Sequence, residues 1–356
     1  MIPGCGVFCT GKDVHEATVT RDITQHTLQV KALVDETPSL GGYQGLSEDE
    51  LFRMEYRVLQ HAKLGSYHLQ HANLRSHQVQ HGRVYTCGPS LRGHVALVTG
   101  AAGAIGAGIC DKLAAHGCLV AVTDLPGERL DSLVDELDAQ YPGQVLGVPL
   151  DVTDPASVAG AFARVAATWG GIDLVVANAG IAAVAPLVDL ELEQFRRLER
   201  INVEGTLLVI AEAARMFKRQ DIGGDIVLIS TKNVFSPGAS FGAYSATKAA
   251  AHQLARIASL ELAADDVRVN MVSPDAVFAH GSRRSGLWAE VGPERMRARG
   301  LDEAGLEAYY QSRNLLKARV TAAHVANAVL FFATRQTPTT GATIPVDGGL
   351  PDATPR

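Results

Sequence analysis

The glycine-rich stretch Thr99-Gly100-Ala101-Ala102-Gly103-Ala104-Ile105-Gly106 follows a short apolar run and precedes an alanine-rich amphipathic segment. Glycines at a strand-to-helix junction let the backbone turn tightly, and the free N–H groups of the helix start attract a phosphate. The stretch therefore predicts the pyrophosphate loop of a dinucleotide site. A tight turn without a ligand is the plainer interpretation of the same residues.

Short β-branched runs alternate with longer amphipathic segments from Gly93 onward. Seven runs are predicted as strands: His94–Thr99, Leu119–Thr123, Val145–Pro149, Leu174–Ala177, Ile226–Ser230, Arg268–Val272 and Thr343–Val346. The predicted helices include Ile105–His116, Glu128–Gln140, Pro155–Trp169, Glu193–Arg219 and Ala243–Ala264. This alternation requires right-handed crossovers, so the expected fold is α/β, a doubly wound, parallel, seven-stranded Rossmann-like sheet. A ligand should bind at the carboxyl ends of its strands.

Asp124 ends the second predicted strand, where a carboxylate can accept hydrogen bonds from the ribose diol of an adenosine. A 2′-phosphate would meet a like charge there, so NAD is expected in preference to NADP. Arg129 lies close by in sequence and keeps NADP open. The alternative is an Asp that merely begins a turn before Pro126-Gly127.

Tyr244 and Lys248 lie at i and i+4 of a predicted helix, so their side chains share one face. A phenol has a pKa near 10, and an adjacent ammonium typically lowers a pKa by about 1–3 units, which would make Tyr244 a usable general acid/base. An ordinary helix pair is the alternative. Ser230-Thr231 follows the fifth strand and offers hydroxyls that could polarise a substrate oxygen, although small polar residues are common at that place.

Length and composition limit the other functions. A chain of 356 residues suits one full domain and an appendage, and a net charge of −6 gives no general reason to bind nucleic acid or an anionic membrane. We found no apolar stretch near the roughly 18 residues that span a bilayer. Five scattered cysteines without a leader segment favour free thiols and a cytoplasmic location.

Residues 1–90 form a distinct N-terminal extension. Ser47 and Glu50 suit a capping box for a helix that packs its apolar residues on one face. Five histidines follow closely, but no cysteine pair or carboxylate completes a zinc set, so no metal site is expected. These histidines are His61, His68, His71, His77 and His81.

From residue 91 to 351 the chain resembles the short-chain dehydrogenase/reductase family. The resemblance rests on motifs in the family's order: Thr-Gly-x-x-x-Ala-Ile-Gly at 99–106, Asp151-Val152, Asn178-Ala179-Gly180, Asn202, Tyr-x-x-x-Lys at 244–248, Ser273-Pro274 and Val346-Asp347-Gly348-Gly349.

The resemblance implies a role for each matching residue. Catalysis would use Asn202 to hold a relay water, Thr231 to polarise the substrate, Tyr244 as acid/base, and Lys248 to modulate Tyr244 and bind the ribose. The cofactor would contact Gly100, Gly103, Ile105, Gly106, Asp124, Asp151, Val152, Asn178, Gly180, Tyr244, Lys248 and Val277.

Three positions depart from the family's pattern. Ala104 replaces a glycine of the loop, and its methyl group tightens the turn. The substrate-polarising serine falls on Thr231, so we rank Thr231 first and Ser230 second. Asp275 replaces a glycine after Pro274, which places a carboxylate near the nicotinamide end.

Within the family, the chain is most similar to the dehydrogenase half of bifunctional rhamnulose-phosphate aldolase/short-chain dehydrogenase proteins. The similarity includes the segments 230–235, 286–292 and 314–317, and residues 2–8 resemble the tail of the aldolase half. The metal-binding histidines of that half lie upstream in the family, so aldol cleavage by this chain alone is not expected.

Residues 278–318 form an unusually long connection, which we expect to be the substrate lid. It carries arginines that could contact a phosphate or carboxylate or form a solvated face: Arg283, Arg284, Arg295, Arg297 and Arg299. The long helices 193–219 and 243–264 resemble the family's dimer-forming pair, which implies a homodimer or homotetramer.

The sequence thus predicts an NAD-dependent oxidoreductase acting on a small hydroxyaldehyde, sugar-derived alcohol or ketone. A non-catalytic NAD-binding scaffold or regulatory module is the alternative, and a metal-dependent aldolase remnant a third. No nucleic-acid or membrane partner is expected.

Overall fold

Buried β-branched strands build one parallel sheet of seven strands in the order β3-β2-β1-β4-β5-β6-β9. Helices cover both faces, so these strands are apolar on both sides. The strands are β1 Val95–Thr99, β2 Leu119–Asp124, β3 Val145–Pro149, β4 Leu174–Ala177, β5 Gly224–Ile229, β6 Val267–Pro274 and β9 Thr343–Val346. The predicted Rossmann-like sheet is confirmed.

The computed structural model describes residues 91–351 and 353, together with the isolated helical positions Arg21, Thr24, Gln25 and Leu28. The chain divides into two compact units, Met1–Ser90 and Leu91–Arg356. The helix predicted from Ser47 and the histidines from His61 to His81 lie outside the described residues. Within the described part, no helix has the length and hydropathy needed to cross a membrane.

The helices follow from local caps and an apolar stripe. In α3, for example, Asp154 caps the N-terminus by accepting from the Ala156 amide, Pro155 occupies the first turn, and Gly170 ends the helix in a left-handed conformation. The helices around the sheet are α1 Ala104–Ala115, α2 Glu128–Gln140, α3 Pro155–Trp169, α4 Leu192–Glu199, α5 Gly205–Gln220, α6 Gly242–Glu261 and α9 Ala322–Ala333.

The helical region predicted at Glu193–Arg219 is present, but it is not a uniform α-helix. A π-helical segment, Arg200–Glu204, separates α4 from α5, and the fully buried Asn202 lies within it. Such segments are frequent at functional sites because they re-aim one residue without ending the helix.

Residues 278–318 add two helices and a small hairpin to one end of the sheet. These elements are β7 Ala279–His280, β8 Arg283–Arg284, α7 Gly286–Arg299 and α8 Glu303–Arg313. The hairpin strands pair in antiparallel fashion.

Small residues let helices α1 and α9 pack closely, and this packing fixes the position of the glycine loop at the start of α1. Helices α1 and α9 approach so closely that a Cβ on Gly108 would lie 2.6 Å from the Cβ of Ala322. A larger residue at either position would push α1 away from α9, and α1 begins at the loop.

A buried ion cluster joins β5 to the helical layer. Asp225 accepts from Arg268 at 2.7 Å and from Arg335 at 2.7 Å. Arg268 also donates to the carbonyl of Phe332 at the end of α9. The carboxylate is therefore surrounded by donors although burial raises its pKa.

We predict that Asp225→Asn lowers the free energy of unfolding by roughly 3 kcal/mol, because it leaves the buried Arg268 without its counter-ion and Arg335 with only the exposed Asp266. Chemical denaturation measures the change. The exposed pair Glu193–Arg196, 3.7 Å apart, provides the control, since Glu193→Gln should cost less than about 1 kcal/mol. Equal losses in the two variants would contradict a structural role of the buried cluster.

Candidate active site

A cleft of about 710 Å³ opens at the carboxyl ends of the strands. It brings together thirteen of the fourteen predicted site residues: Gly100, Gly103, Ile105, Gly106, Asp124, Asp151, Val152, Asn178, Gly180, Thr231, Tyr244, Lys248 and Val277. Asn202 is the exception, because it is buried behind the wall of the cleft. Residues more than 150 positions apart thus share one space.

The glycine loop is folded against its neighbours with no room for side chains at two positions. A Cβ on Gly100, whose φ is +62°, would lie 2.7 Å from the Cα of Ala179, and a Cβ on Gly106 would lie 2.5 Å from the carbonyl oxygen of Gly100. Gly103, which precedes α1, carries no side-chain cap for the first amides of the helix. These uncapped amides fit a pyrophosphate, because a helix N-terminus favours an anion.

The methyl group of Ala104 is accommodated inside the loop, where the residue is buried. Asn178 holds the loop to β4, because its amide group donates to the carbonyls of Thr99 and Gly100, each at 2.9 Å. The Thr99 hydroxyl accepts a hydrogen bond from the backbone N–H of Asn178.

Asp124 and Arg129 line the cleft close to the glycine loop. One oxygen of Asp124 accepts from the Ala102 amide at 2.8 Å and the other from Leu125 at 2.8 Å. Arg129 donates to the Ala102 carbonyl at 3.3 Å. Each carboxylate oxygen keeps lone pairs for further donors, which fits a ribose diol.

Asp151 and Val152 form the next part of the wall. The carboxylate of Asp151 accepts from the amide and the hydroxyl of Thr153, so it is turned into its own loop. Val152 packs against Gly205, where a Cβ would lie 2.8 Å from the valine side chain.

Tyr244 is buried, and this burial dominates its chemistry. Loss of water raises the pKa of the phenol to about 12, and a side-chain hydrogen bond with Thr231 acts in the opposite direction. The phenol is therefore protonated at neutral pH, in position to donate a proton.

Lys248 follows Tyr244 by four residues on α6 and is also buried. Its Nζ donates to the carbonyl of Ile229 at 2.7 Å, and burial lowers the pKa of the ammonium to about 8. The pKa of the phenol is raised and not lowered, because loss of water is the largest influence on it.

The two candidate hydroxyls after β5 face different partners. Ser230 is hydrogen-bonded to Nδ1 of His252 at 2.9 Å, while Thr231 interacts with Tyr244. Thr231 also accepts from the Asn233 amide and begins a short 3-10 turn. This geometry favours the ranking of Thr231 before Ser230.

Asn202, behind the wall of the cleft, is held by hydrogen bonds to neighbouring segments. Its side chain exchanges two hydrogen bonds of 2.9 Å with the backbone of Ile181 and donates to the Thr247 hydroxyl at 3.1 Å. A Cβ on Gly180 would lie 3.1 Å from Oδ1 of Asn202 and 3.6 Å from Nζ of Lys248. Asn202 and Lys248 therefore flank the same glycine.

The sequence prediction missed the aromatic cluster within residues 278–318. Trp288 stacks on Phe278 at 4.5 Å and meets Tyr310 edge-on at 4.8 Å. Arg313, also missed, binds Asp275 at 2.8 Å. The aromatic residues of the cluster come from separate segments, so no local signal indicates either the cluster or the ion pair.

The arginines of residues 278–318 that the sequence singled out differ in whether they line the cleft. Arg283 bonds to Glu136 and Ser132 on α2, and Arg284 to Glu303, so neither lines the cleft. Arg295 and Arg299 do line it. In the part of the chain that the structure describes, His, Cys, Asp and Glu do not come together as a metal site.

Comparison with known proteins gives two family matches. Residues 100–351 match the family described as enoyl-(acyl carrier protein) reductase, and residues 1–64 match the second domain of class II aldolases. The chain is 34% identical to the uncharacterized oxidoreductase YuxG of Bacillus subtilis (strain 168) over its whole length, yet it spans only 48% of that protein.

Two solved structures are similar in fold. A short-chain type dehydrogenase/reductase from Mycobacterium marinum is 30% identical, with a TM-score of 0.64 over 74% of this chain and 97% of that one. Sorbitol-6-phosphate 2-dehydrogenase SrlD from Erwinia amylovora is 30% identical, with a TM-score of 0.66 over 72% and 98%. The chain belongs to the short-chain dehydrogenase/reductase family of oxidoreductases, which use nicotinamide cofactors, and joins this domain to a class II aldolase segment.

Proposed function

We propose that the chain is an NAD-dependent oxidoreductase that transfers a hydride between the nicotinamide and a small hydroxyaldehyde, sugar-derived alcohol or ketone. The observation that carries the proposal is the meeting of Tyr244, Lys248 and Thr231 in the same cleft as the glycine loop and Asp124. The nicotinamide supplies or accepts the hydride when it is bound. The similarity to a sorbitol-6-phosphate dehydrogenase supports a polyhydroxylated substrate.

Tyr244 handles the proton in this proposal. Because its pKa is raised to about 12, the phenol donates a hydrogen bond and then its proton to a substrate carbonyl oxygen during reduction. Thr231 donates a second hydrogen bond to the same oxygen. In the oxidative direction Tyr244 must first lose its proton.

Lys248 and Asn202 supply a route for that proton. The ammonium, with a pKa near 8, changes protonation state close to physiological pH, and Asn202 lies on the other side of Gly180. We assign Asn202 the role of holding a relay water and Lys248 a second role as ligand of the nicotinamide ribose.

The remaining predicted residues hold the cofactor in this proposal. The loop glycines and Ile105 bind the pyrophosphate, Asp124 the adenosine ribose, Asp151 and Val152 the adenine. Asn178 and Gly180 support the cofactor beside β4, and Val277 approaches the nicotinamide amide. The acidic Asp124 favours NAD over NADP, since a 2′-phosphate would be repelled.

The same proposal includes two domains, 1–90 and 91–351, with residues 278–318 as the substrate lid. It also includes a cytoplasmic location and assembly as a homodimer or homotetramer. Exposed apolar side chains on α5 and α6 support self-association: Leu207, Ile257 and Leu260. A partner other than a small-molecule substrate is not needed for the reaction.

We predict that Tyr244→Phe lowers kcat by about 10²–10⁴-fold, because it removes the proton donor, while NAD binding persists. Turnover is followed through reduced nicotinamide with a panel of small sugars, polyols and hydroxyaldehydes. Tyr141→Phe is the control, since Tyr141 bonds to Asp111 and does not line the cleft. Undiminished turnover in Tyr244→Phe would contradict the mechanism, and a wild-type protein that binds NAD but converts nothing would favour the scaffold interpretation.

Cofactor preference should follow Asp124. The wild-type protein is expected to show a kcat/KM at least about ten-fold higher with NAD than with NADP, and Asp124→Ser should reduce that ratio at least about ten-fold. Steady-state kinetics with both cofactors measure it. Asp135→Ser, an exposed position on α2, should leave the ratio unchanged. A lower KM for NADP in the wild type would overturn the NAD assignment.

Burial of Lys248 should also appear in the pH dependence of stability. Between pH 8 and about 10 the unfolded state keeps the lysine proton that the folded state has lost, so the free energy of unfolding rises with pH. From pH 7.5 to 9.5 the wild type should gain up to about 2 kcal/mol relative to Lys248→Met. Chemical denaturation of both proteins at the two pH values tests this, and parallel pH profiles would refute it.

A further inference from the structure

The substrate end of the cleft contains more cations than the proposed hydride transfer uses. Lys232 directly follows Thr231, Arg295 and Arg299 come from α7, and Arg313 ends α8. All four line the cleft, together with the carboxylates of Asp275 and Glu290. Three elements distant in sequence therefore direct positive charge to one place.

Only one of these cations is neutralised by a carboxylate. Arg313 donates to both oxygens of Asp275, at 2.8 and 3.0 Å, and the Asp275 side chain is only 6% exposed. Within residues 91–351, no carboxylate lies within ion-pair distance of Lys232, Arg295 or Arg299. This part of the cleft is lined by four cations and two carboxylates, so positive charge is in excess there.

Neutral groups hold these three cations in place. Lys232 donates to the Ser236 carbonyl at 3.0 Å. Arg295 donates to the Ala239 carbonyl at 3.1 Å and lies 4.3 Å over the ring of Phe241. The guanidinium of Arg299 lies 4.8 Å over the ring of Tyr309. The side chains are positioned, yet their charges remain available.

Among the described residues three guanidinium nitrogens are buried without an acceptor: Nε of Arg283, which lies outside the cleft, and two that belong to the cleft. Nε of Arg295 and Nε of Arg313 make no hydrogen bond although water does not reach them. A buried donor without a partner costs free energy, and such groups in native proteins point to a strain or to a ligand. Here both belong to side chains that line the cleft.

The cluster behaves as one electrostatic unit. Burial lowers the pKa of Lys232, Asp275 raises it, and Arg313 and Arg295 lower it again. An anion bound beside Lys232 would therefore also be attracted by Arg295 and Arg313, in a site where burial weakens solvent screening.

We propose that Lys232, Arg295 and Arg299, with Arg313 behind them, bind an oxyanion group of the substrate, a phosphate or a carboxylate, away from the carbon served by Tyr244. This inference rests on the proposed function and narrows its substrate class to anionic hydroxy compounds. The site is separate from the cofactor's phosphates, for which the amides of the glycine loop are available. Arginine suits the role because its planar fork matches both kinds of oxyanion.

Three matched probes test the charge: glycerol, glycerate and glycerol 3-phosphate. Their binding to the full chain loaded with NADH is measured by calorimetry, which requires no turnover. At least one of the two anions should bind at least about ten-fold tighter than glycerol, and the tighter anion identifies the group. Arg295→Gln and Lys232→Met should each weaken that anion at least about ten-fold, the loss expected for one charge-assisted hydrogen bond.

Arg297→Gln is the matched control, because Arg297 is exposed on the same helix and does not line the cleft. It should change the affinity less than about two-fold. Anions that bind no tighter than glycerol, or an Arg297 variant as weak as Arg295→Gln, would overturn the proposal. If Arg295→Gln fails to fold, as shown by circular dichroism, Lys232→Met decides alone.

The outcome can be separated from that of the proposed function. Arg295-dependent anion binding without turnover of any panel member would support this site and contradict the oxidoreductase assignment. Turnover of neutral polyols with kcat/KM equal to that of their anionic counterparts would support the oxidoreductase assignment and contradict the anion site.

Discussion

The contact between the glycine loop and the neighbouring backbone is the constraint on which the site depends. Gly106 lies against the Gly100 carbonyl, and Gly100 lies against Ala179, with no space for a Cβ at either position. This contact joins the ends of β1 and β4 to the start of α1. Asn178 then locks the junction by donating to Thr99 and Gly100. Because the amides of α1, the floor at Gly180 and the end of β4 share this junction, a shift in one displaces the others.

Desolvation rather than pairwise attraction governs the proton-transfer groups. A surface Tyr/Lys pair would lower the pKa of the phenol, yet both groups here are enclosed, and burial moves the pKa of Tyr244 up and that of Lys248 down. Both shifts favour the neutral form of the side chain, which supports the proposed donation of a proton from Tyr244 to a carbonyl. The hydrogen bond of Lys248 to Ile229 adds a fixed position, since it ties the side chain to β5.

The sequence predicted the regular part of the fold well because its signals are local. The bounds of Glu128–Gln140 and Pro155–Trp169 agree with the structure. Apolar spacing is readable within each segment, and the second also has a capping aspartate and an N-terminal proline. The π segment around Asn202 escaped prediction because the hydrophobic period continues through it, and only tertiary bonds to Ile181 reveal it. The pairing of Asp275 with Arg313 depends on how two distant elements meet, and the altered pKa values depend on burial that no local pattern encodes.

The turn after β5 carries a residue of the proposed hydride-transfer site, Thr231, next to a residue of the proposed anion site, Lys232. Thr231 begins a 3-10 turn in which Lys232 follows at once, and the Lys232 carbonyl accepts from the amides of Phe235 and Ser236. The Lys232 side chain donates to the Ser236 carbonyl, so the backbone and the side chain of Lys232 both form hydrogen bonds within the turn. A hydroxyl that faces Tyr244 and a cation that lines the same cleft are therefore separated by one rigid peptide. The spacing between the reacting oxygen of a substrate and its charged end would be set by this backbone, while α7 and α8 supply the arginines that complete the site.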